Sequence, residues 1–127
     1  MMQTQRGRLS LDWRELAMIK QQSVRNHEEQ LEQLASLFRL LSDRTRLNVL
    51  LLLADGERNV TALCETLRLP QPTVSHHLSL LRMCNAIVNR REGKQVFYSL
   101  DNRVSVRDGG TIEINNADFH IRVKPKS

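Results

Sequence analysis

The hydrophobic pattern of this 127-residue chain changes period once, just after Asn85, and that change limits what the chain can fold into. Before it, apolar residues recur every three or four positions, the spacing that lines one face of a helix. After it they alternate, the spacing that lines one face of a strand. A chain of this length with 40% hydrophobic and 26% charged residues supports one modest core. The pattern predicts a mostly helical assembly that finishes in β structure.

The helical part divides at its caps. Asp12 with Glu15 three residues on resembles a capping box. After it Trp13, Leu16, Ala17, Lys20 and Val24, then Leu31, Leu34, Ala35, Phe38 and Leu41, keep helical spacing. The polar stretch QQSVRNHEEQ (21–30) reads either as an exposed section of one long helix or as a join between two. Ser42-Asp43 ends that pattern and caps the next helix, 44–54. Its Leu47, Val49, Leu50, Leu51, Leu52 and Leu53 are too many for a one-faced surface helix, which predicts a central helix buried on most sides. Asp55-Gly56 stops it. A short helix follows over 61–67, with Ala62, Leu63 and Leu67 inward. Arg68-Leu69-Pro70 makes the turn, because proline does not simply continue a helix.

The next stretch, PQPTVSHHLSLL (70–81), places Val74, His77, Leu78 and Leu81 on one helical face. Thr73, Ser75, His76 and Ser79 lie on or near the other. A helix that closes a short helix–turn–helix with a small, polar, hydrogen-bonding outer face fits a DNA major groove. Adjacent helical residues point about 100° apart, so His76 and His77 make a poor chelating pair; His77 is expected inward and His76 outward. Two strands come next, Ile87–Arg90 and Gln95–Leu100, joined by a charged turn, Arg91-Glu92-Gly93-Lys94. They predict a hairpin with a basic tip, a wing. Residues 103–123 alternate as a small antiparallel meander, with Phe119, Ile121 and Val123 on the inner face of its last strand.

Charge follows the same division. The chain carries +5 overall. From Thr66 to Arg107 seven basic residues meet two acidic ones, whereas the first forty-two residues are nearly balanced. A basic middle suits an anionic partner such as DNA; the alternative is a solvated face that keeps the protein soluble. No apolar run approaches the roughly 20 residues that span a bilayer, and residues 1–10 read as a loose basic tail without the apolar centre of a signal peptide. A cytoplasmic location is expected. Cys64 and Cys84 form no CxxC pair and read as small buried side chains, with a redox pair as the alternative. No phosphate-cradling glycine loop, activated nucleophile or paired acids suggest an enzyme.

From Leu40 to Leu100, about half the chain, the sequence resembles the ArsR-type winged helix–turn–helix repressors. The likeness is closest at SDRTRL, at QPTVSHHL with the following SLLR, and at RREGKQVFYSL. It implies a dimeric, sequence-specific transcriptional regulator that represses by binding double-stranded operator DNA; many members let go when a metal, metalloid or oxidant binds. Carried over position by position, Gln71, Thr73, Ser75, His76 and Ser79 match the reading positions of the recognition helix. Their chemistry agrees, since Gln pairs with the adenine edge and Ser and Thr bond bases or phosphates. Arg91 and Lys94 match wing positions that meet the backbone or minor groove, and Arg68 and Arg82 suit phosphate.

The departures from the family pattern are specific. Arg44 replaces a usual Pro, Arg68 a usual Gly in the turn, Pro70 a usual capping Ser, and Asn85 a common Gly. Where metalloid sensors carry CVC this chain has Asn59-Val60-Thr61, which supplies no thiolate. The family's C-terminal helix gives way to strands. Asp118-Phe119-His120, with Asp118 and His120 on one face of a strand, and His27-Glu28-Glu29 read as solvated polar faces. No metal or cofactor is expected, and no effector is identified. Dimerisation must then come from elsewhere: the N-terminal helix, through Trp13, Leu16, Ile19 and Val24, is the natural candidate, and the strand meander is a second contributor or a shield for an edge. The expected organisation is a tail and dimerisation helix (1–41), a winged helix–turn–helix (42–102) and a β extension (103–127). A winged-helix module for protein–protein contact, or a regulator that senses oxidants through Cys64 or Cys84, are the alternatives.

Overall fold

The first helix starts where its cap predicts. In the computed structural model, which describes residues 11–126, the Glu15 amide donates to Asp12 Oδ1 at 2.8 Å. Helix α1 then runs unbroken from Trp13 to Leu41. The polar stretch 21–30 is therefore an exposed section of one helix and not a join. No residue of α1 is fully buried. The basic tail expected over residues 1–10 lies outside the described residues. The chain divides into two units after Ala35. Among the described residues the first unit is the exposed body of α1; the second holds the end of that helix and all that follows.

In the second unit, helix α2 (Arg44–Ala54) begins at Asp43, whose carboxylate accepts the Arg46 amide at 3.0 Å. That bond, with the Arg46 charge, holds the Asp43 carboxyl below its usual range. Val49, Leu50 and Leu53 are buried, but Leu51 is 42% exposed, so one flank of α2 faces outward where burial on most sides was expected. Arg44, Asn48 and Leu51, spaced three and four apart, line that exposed flank.

A two-residue strand, β1 (Arg58–Asn59), follows, and its brevity left no period to read. Helix α3 (Val60–Leu67) begins directly after it, because Asn59 Oδ1 accepts the Ala62 amide at 2.8 Å. Helix α4 spans Gln71–Met83. Strands β2 (Ile87–Glu92) and β3 (Gln95–Leu100) form the wing, and β1 pairs on the far side of β3 to give the order β1-β3-β2. The Glu92↔Gln95 pairing leaves only Gly93 and Lys94 in the loop. Arg91 and Glu92, expected in the turn, are strand residues. Gly93 sits at φ 63°, the sign that the first position of a two-residue hairpin loop of mirror-image type requires.

The C-terminal meander forms as β4 (Val104–Arg107), β5 (Thr111–Asn115) and β6 (His120–Val123), in that order across the sheet. Three details differ from the sequence expectation; the first is that Phe119 lies just before β6 and not in it. Val123 is 58% exposed and not on an inner face, because β6 is an edge strand and runs past the core there. Asp118 sits in a bend, not a strand, where its amide donates to Asn116 Oδ1 at 2.9 Å.

One buried cluster joins these pieces: Val49, Leu50 and Leu53 of α2, Leu63 of α3, Val74, Leu78 and Leu81 of α4, Ala86 and Ile87 at the wing, and Val104 and Ile114 of the meander. Leu37, Leu40 and Leu41 at the end of α1 pack against it. The recognition-type helix is thus held by the same core that anchors the wing. No helix among the described residues is long and apolar enough to cross a membrane.

Candidate nucleic-acid interface

Helix α4 is seated by three fully buried side chains, Val74, Leu78 and Leu81, one per turn along its inner face. Each such residue contributes roughly 1.5–3 kcal/mol of burial, so this face fixes the helix against rotation. Thr73, His76 and Ser79 are exposed on the opposite side, Gln71 is exposed as the first residue of the helix, and Ser75 is half-buried at the edge. Arg82 is exposed in the last turn, where a cation suits the negative end of the helix dipole. Pro70 makes no side-chain cap bond. The first turn is closed instead by the Val74 amide donating to the Pro70 carbonyl at 3.1 Å. The two histidines part as their spacing predicts: His76 is exposed, and the His77 side chain is only 13% exposed.

The turn before α4 needs a left-handed residue. Arg68 takes φ 57° there, the position where the family usually has glycine, and its amide bonds the Cys64 carbonyl. Its side chain is exposed beside the start of α4. A non-glycine residue in that region costs roughly 1–2 kcal/mol. Asn85 makes the matching turn after α4 at φ 63°, which asparagine tolerates better.

In the wing, two neighbouring arginines meet different fates because a strand sends alternate side chains to opposite faces. Arg91 pairs across with Val96 on the face that carries Tyr98 and Leu100 onto the core. At the tip that face runs beyond the core, and Arg91 is exposed. Arg90 points to the other face. It bonds Glu57 at 2.6 and 2.8 Å and Glu92 at 2.6 Å, and its guanidinium lies 4.7 Å from the Phe97 ring centroid. Those hydrogen bonds lower the Glu57 carboxyl below its usual range and raise Arg90 further. Arg90 is therefore spent inside the wing, while Arg91 and the exposed Lys94 at the loop point outward. Asn59 Nδ2 donates to Gln95 Oε1 at 3.1 Å and steadies the strand beside that loop.

The remaining candidate groups are held elsewhere. Asn59 and Thr61 occupy the start of α3, with Asn59 as its cap. His120 turns to Glu113 at 2.6 Å and not toward Asp118. Arg122 and Arg107 bond the same Glu113 at 2.9 and 3.2 Å, and His120 first, then Arg122, hold its carboxyl down at about 2. Among the described residues no three or more His, Cys, Asp or Glu are grouped to hold a metal ion. Cys64 packs half-buried against the core. Cys84, expected buried, is exposed after the last turn of α4; its Sγ donates to the Leu81 carbonyl at 3.3 Å, and partial desolvation pushes its thiol up, away from the thiolate that oxidant sensing needs.

Sequence reasoning singled out neither the Arg90–Glu57 pair nor Arg46, whose guanidinium reaches three groups at the heart of this unit. Glu57 and Arg90 stand 33 positions apart, beyond any local pattern. Arg46 lies within the family-like SDRTRL stretch, and that was its only signal.

The model of the family described as bacterial regulatory proteins, arsR family, matches residues 43–87. The HTH-type transcriptional regulator KmtR of Mycobacterium tuberculosis is 43% identical over 75 residues, 59% of this chain and 58% of its own. The arsenical resistance operon repressor of Escherichia coli is 46% identical over 65 residues, 50% of this chain and 56% of its own. The chain thus matches little more than half the length of these two relatives. The solution structure of the homodimeric winged helix-turn-helix DNA-binding domain of a possible ArsR-family transcriptional regulator from Mycobacterium bovis is 34% identical to it. That likeness has a TM-score of 0.52 and covers 55% of this chain and 65% of that one.

Proposed function

The chain belongs to the arsR family of bacterial regulatory proteins, and from that premise we propose that it is a dimeric, sequence-specific repressor that occludes promoters by binding operator DNA in the cytoplasm. The observation that carries this reading is the division of α4: a buried inner face of Val74, Leu78 and Leu81, and an outer strip of Gln71, Thr73, His76 and Ser79 left to solvent beside an exposed basic wing. Gln71, Thr73, His76 and Ser79, with Ser75 at their edge, read base edges in the major groove. Arg68, Arg82, Arg91 and Lys94 hold phosphates and set the register. Two copies present two such helices to half-sites about one helical turn apart. The exposed apolar residues of α1, Trp13, Leu16, Ile19 and Val24, form the dimer contact.

A gel shift against the duplex upstream of its own coding sequence tests the reading. The wild type shifts that duplex in preference to a scrambled one. Replacing Gln71, Ser75 and His76 together with Ala removes at least about a hundredfold of that preference and leaves weak, salt-sensitive binding. An unchanged preference would falsify the assigned reading face.

A further inference from the structure

The geometry points to Arg46 as a positioning residue that locks the reading helix to the rest of the unit through His77, with the protonation state of His77 setting the lock. This inference rests on the reading of α4 as the DNA-contacting helix.

Arg46 is the fourth residue from the α2 cap, and its guanidinium spans two helix ends. Nε donates to the Leu40 carbonyl at 2.6 Å and one terminal nitrogen to the Arg39 carbonyl at 3.3 Å. These carbonyls belong to the last turn of α1, and that of Arg39 also accepts the Ser42 amide at 3.4 Å and the Ser42 hydroxyl at 2.7 Å. The other terminal nitrogen lies 3.3 Å from Nδ1 of His77, on the inner face of α4. A guanidinium has only donors, so this contact requires Nδ1 to accept, and the ring proton of neutral His77 to sit on Nε2. One side chain therefore joins the end of α1, the start of α2 and the reading helix.

The contact is also conditional. A protonated His77 would present an N–H, not a lone pair, to the Arg46 cation. The charged and titratable groups placed around the ring are Arg46 and Asp43 from α2 and its cap, with His76 beside it on α4 at 5.8 Å between ring centroids. The Arg39 guanidinium is turned to Ser36 at 2.9 Å. α3 and β2 pack on α4 through the apolar core, to which they give Leu63 and Ile87. The nearest carboxylate is Asp43 Oδ1, 3.9 Å from Nδ1 and already accepting the Arg46 amide. Protonation therefore releases the ring from Arg46 and draws it toward Asp43, which shifts α4 relative to α2. Histidine is the side chain that ordinarily changes charge within the physiological range.

The test is DNA affinity by fluorescence anisotropy on the full chain, from about pH 8 to about pH 5.5, for the wild type, His77→Gln and His77→Phe, with a thermal melt of each in the same buffers. Glutamine accepts from Arg46 through its amide oxygen but does not titrate. His76 is common to wild type and His77→Gln, so their ratio reports on position 77. The expected result is similar affinity of these two at the alkaline end and a relative loss of about tenfold for the wild type at the acid end. His77→Phe, which cannot accept, is expected to lose about tenfold at every pH with an unchanged salt slope, since no phosphate contact is removed. A role in stability alone would move the melts but not the pH-dependent ratio. Arg46→Lys combined with His77→Phe is expected to bind no worse than the weaker single variant; if Arg46→Lys does not fold, the two His77 variants decide. A ratio that stays flat with pH, or His77→Phe binding like the wild type, overturns this inference alone. Failure of the wild type to prefer its own upstream duplex overturns the DNA reading beneath it.

Discussion

Helices α1 and α4 both present a full face to solvent, but the two faces are opposite in chemistry. On α4 the apolar residues are spent inward, and what remains outside is short and polar. On α1, 29 residues long, nothing is fully buried; Trp13 is 73% exposed and Val24 58% exposed. A polar outer face is stable in water by itself and free to bind a polar ligand. An apolar one is not at rest until something covers it. The difference is that α4 is held by its own chain, whereas the apolar residues along the body of α1 stay exposed, and the proposed dimer is what would cover them.

That contrast can be broken experimentally. Truncation of a buried α4 residue, Leu78→Ala, is expected to lower unfolding free energy by about 3 kcal/mol in urea titrations, whereas Ile19→Ala on α1 costs under about 1 kcal/mol at concentrations where the protein is monomeric. Equal costs would mean that α1 is seated intramolecularly after all. Next in size, Val24→Glu places a charge on the exposed face of α1. Sedimentation should show the dimer dissociation constant raised at least about tenfold, with the monomer melt little changed. A dimer indifferent to this change would move the interface elsewhere, and the meander edge at β6 would then be the surface to test.

Smaller effects sharpen the α4 side. Arg68→Gly relieves the left-handed strain in the turn and is expected to gain about 1 kcal/mol of stability. The same change removes a proposed phosphate contact, so the salt slope of DNA binding should become shallower by about 1. Stabilisation with no change in slope would leave Arg68 as a turn residue only. The smallest effect lies in the meander. Glu113 has its folded pKa depressed to about 2 against an ordinary 4.5, so its contribution is full above about pH 4.5 and is lost as pH falls toward 2. Glu113→Gln should flatten the fall of the urea midpoint over that acid window; an unaltered slope would mean that the His120 and Arg122 contacts carry no stability.

The elements themselves were largely legible. Asp12, Asp43 and Asn59 cap helices, the first two where the sequence placed them, because a cap bond spans only three residues and leaves a local signature. The inward–outward split of His76 and His77 followed from helical spacing alone. What the sequence hid was long-range or too short. β1 has two residues, Arg90 finds a partner 33 positions away, and His77 meets Arg46 across 31 positions. Reading the wing turn as the four residues Arg91 to Lys94 placed Arg91 in the loop, when strand pairing extends through Glu92 and leaves only Gly93-Lys94 unpaired.

For PQPTVSHHLSLL, the amino-acid sequence by itself determined that a helix would form, which face would turn inward, and that the outward face would be able to hydrogen bond. Those properties depend on residues three or four apart, and helical geometry brings such residues together in any context. Only the tertiary structure decided which cations are free and how the helix is anchored. Arg90 and Arg91 look alike in sequence and both lie at the surface, but Arg90 is held by Glu57, Glu92 and Phe97 while Arg91 stands on the other face of the strand. His77 looked like a core residue and proved to be the point where Arg46 ties α4 to the helices before it. Such pairings depend on where separate elements meet once the core has closed, and no local pattern records that.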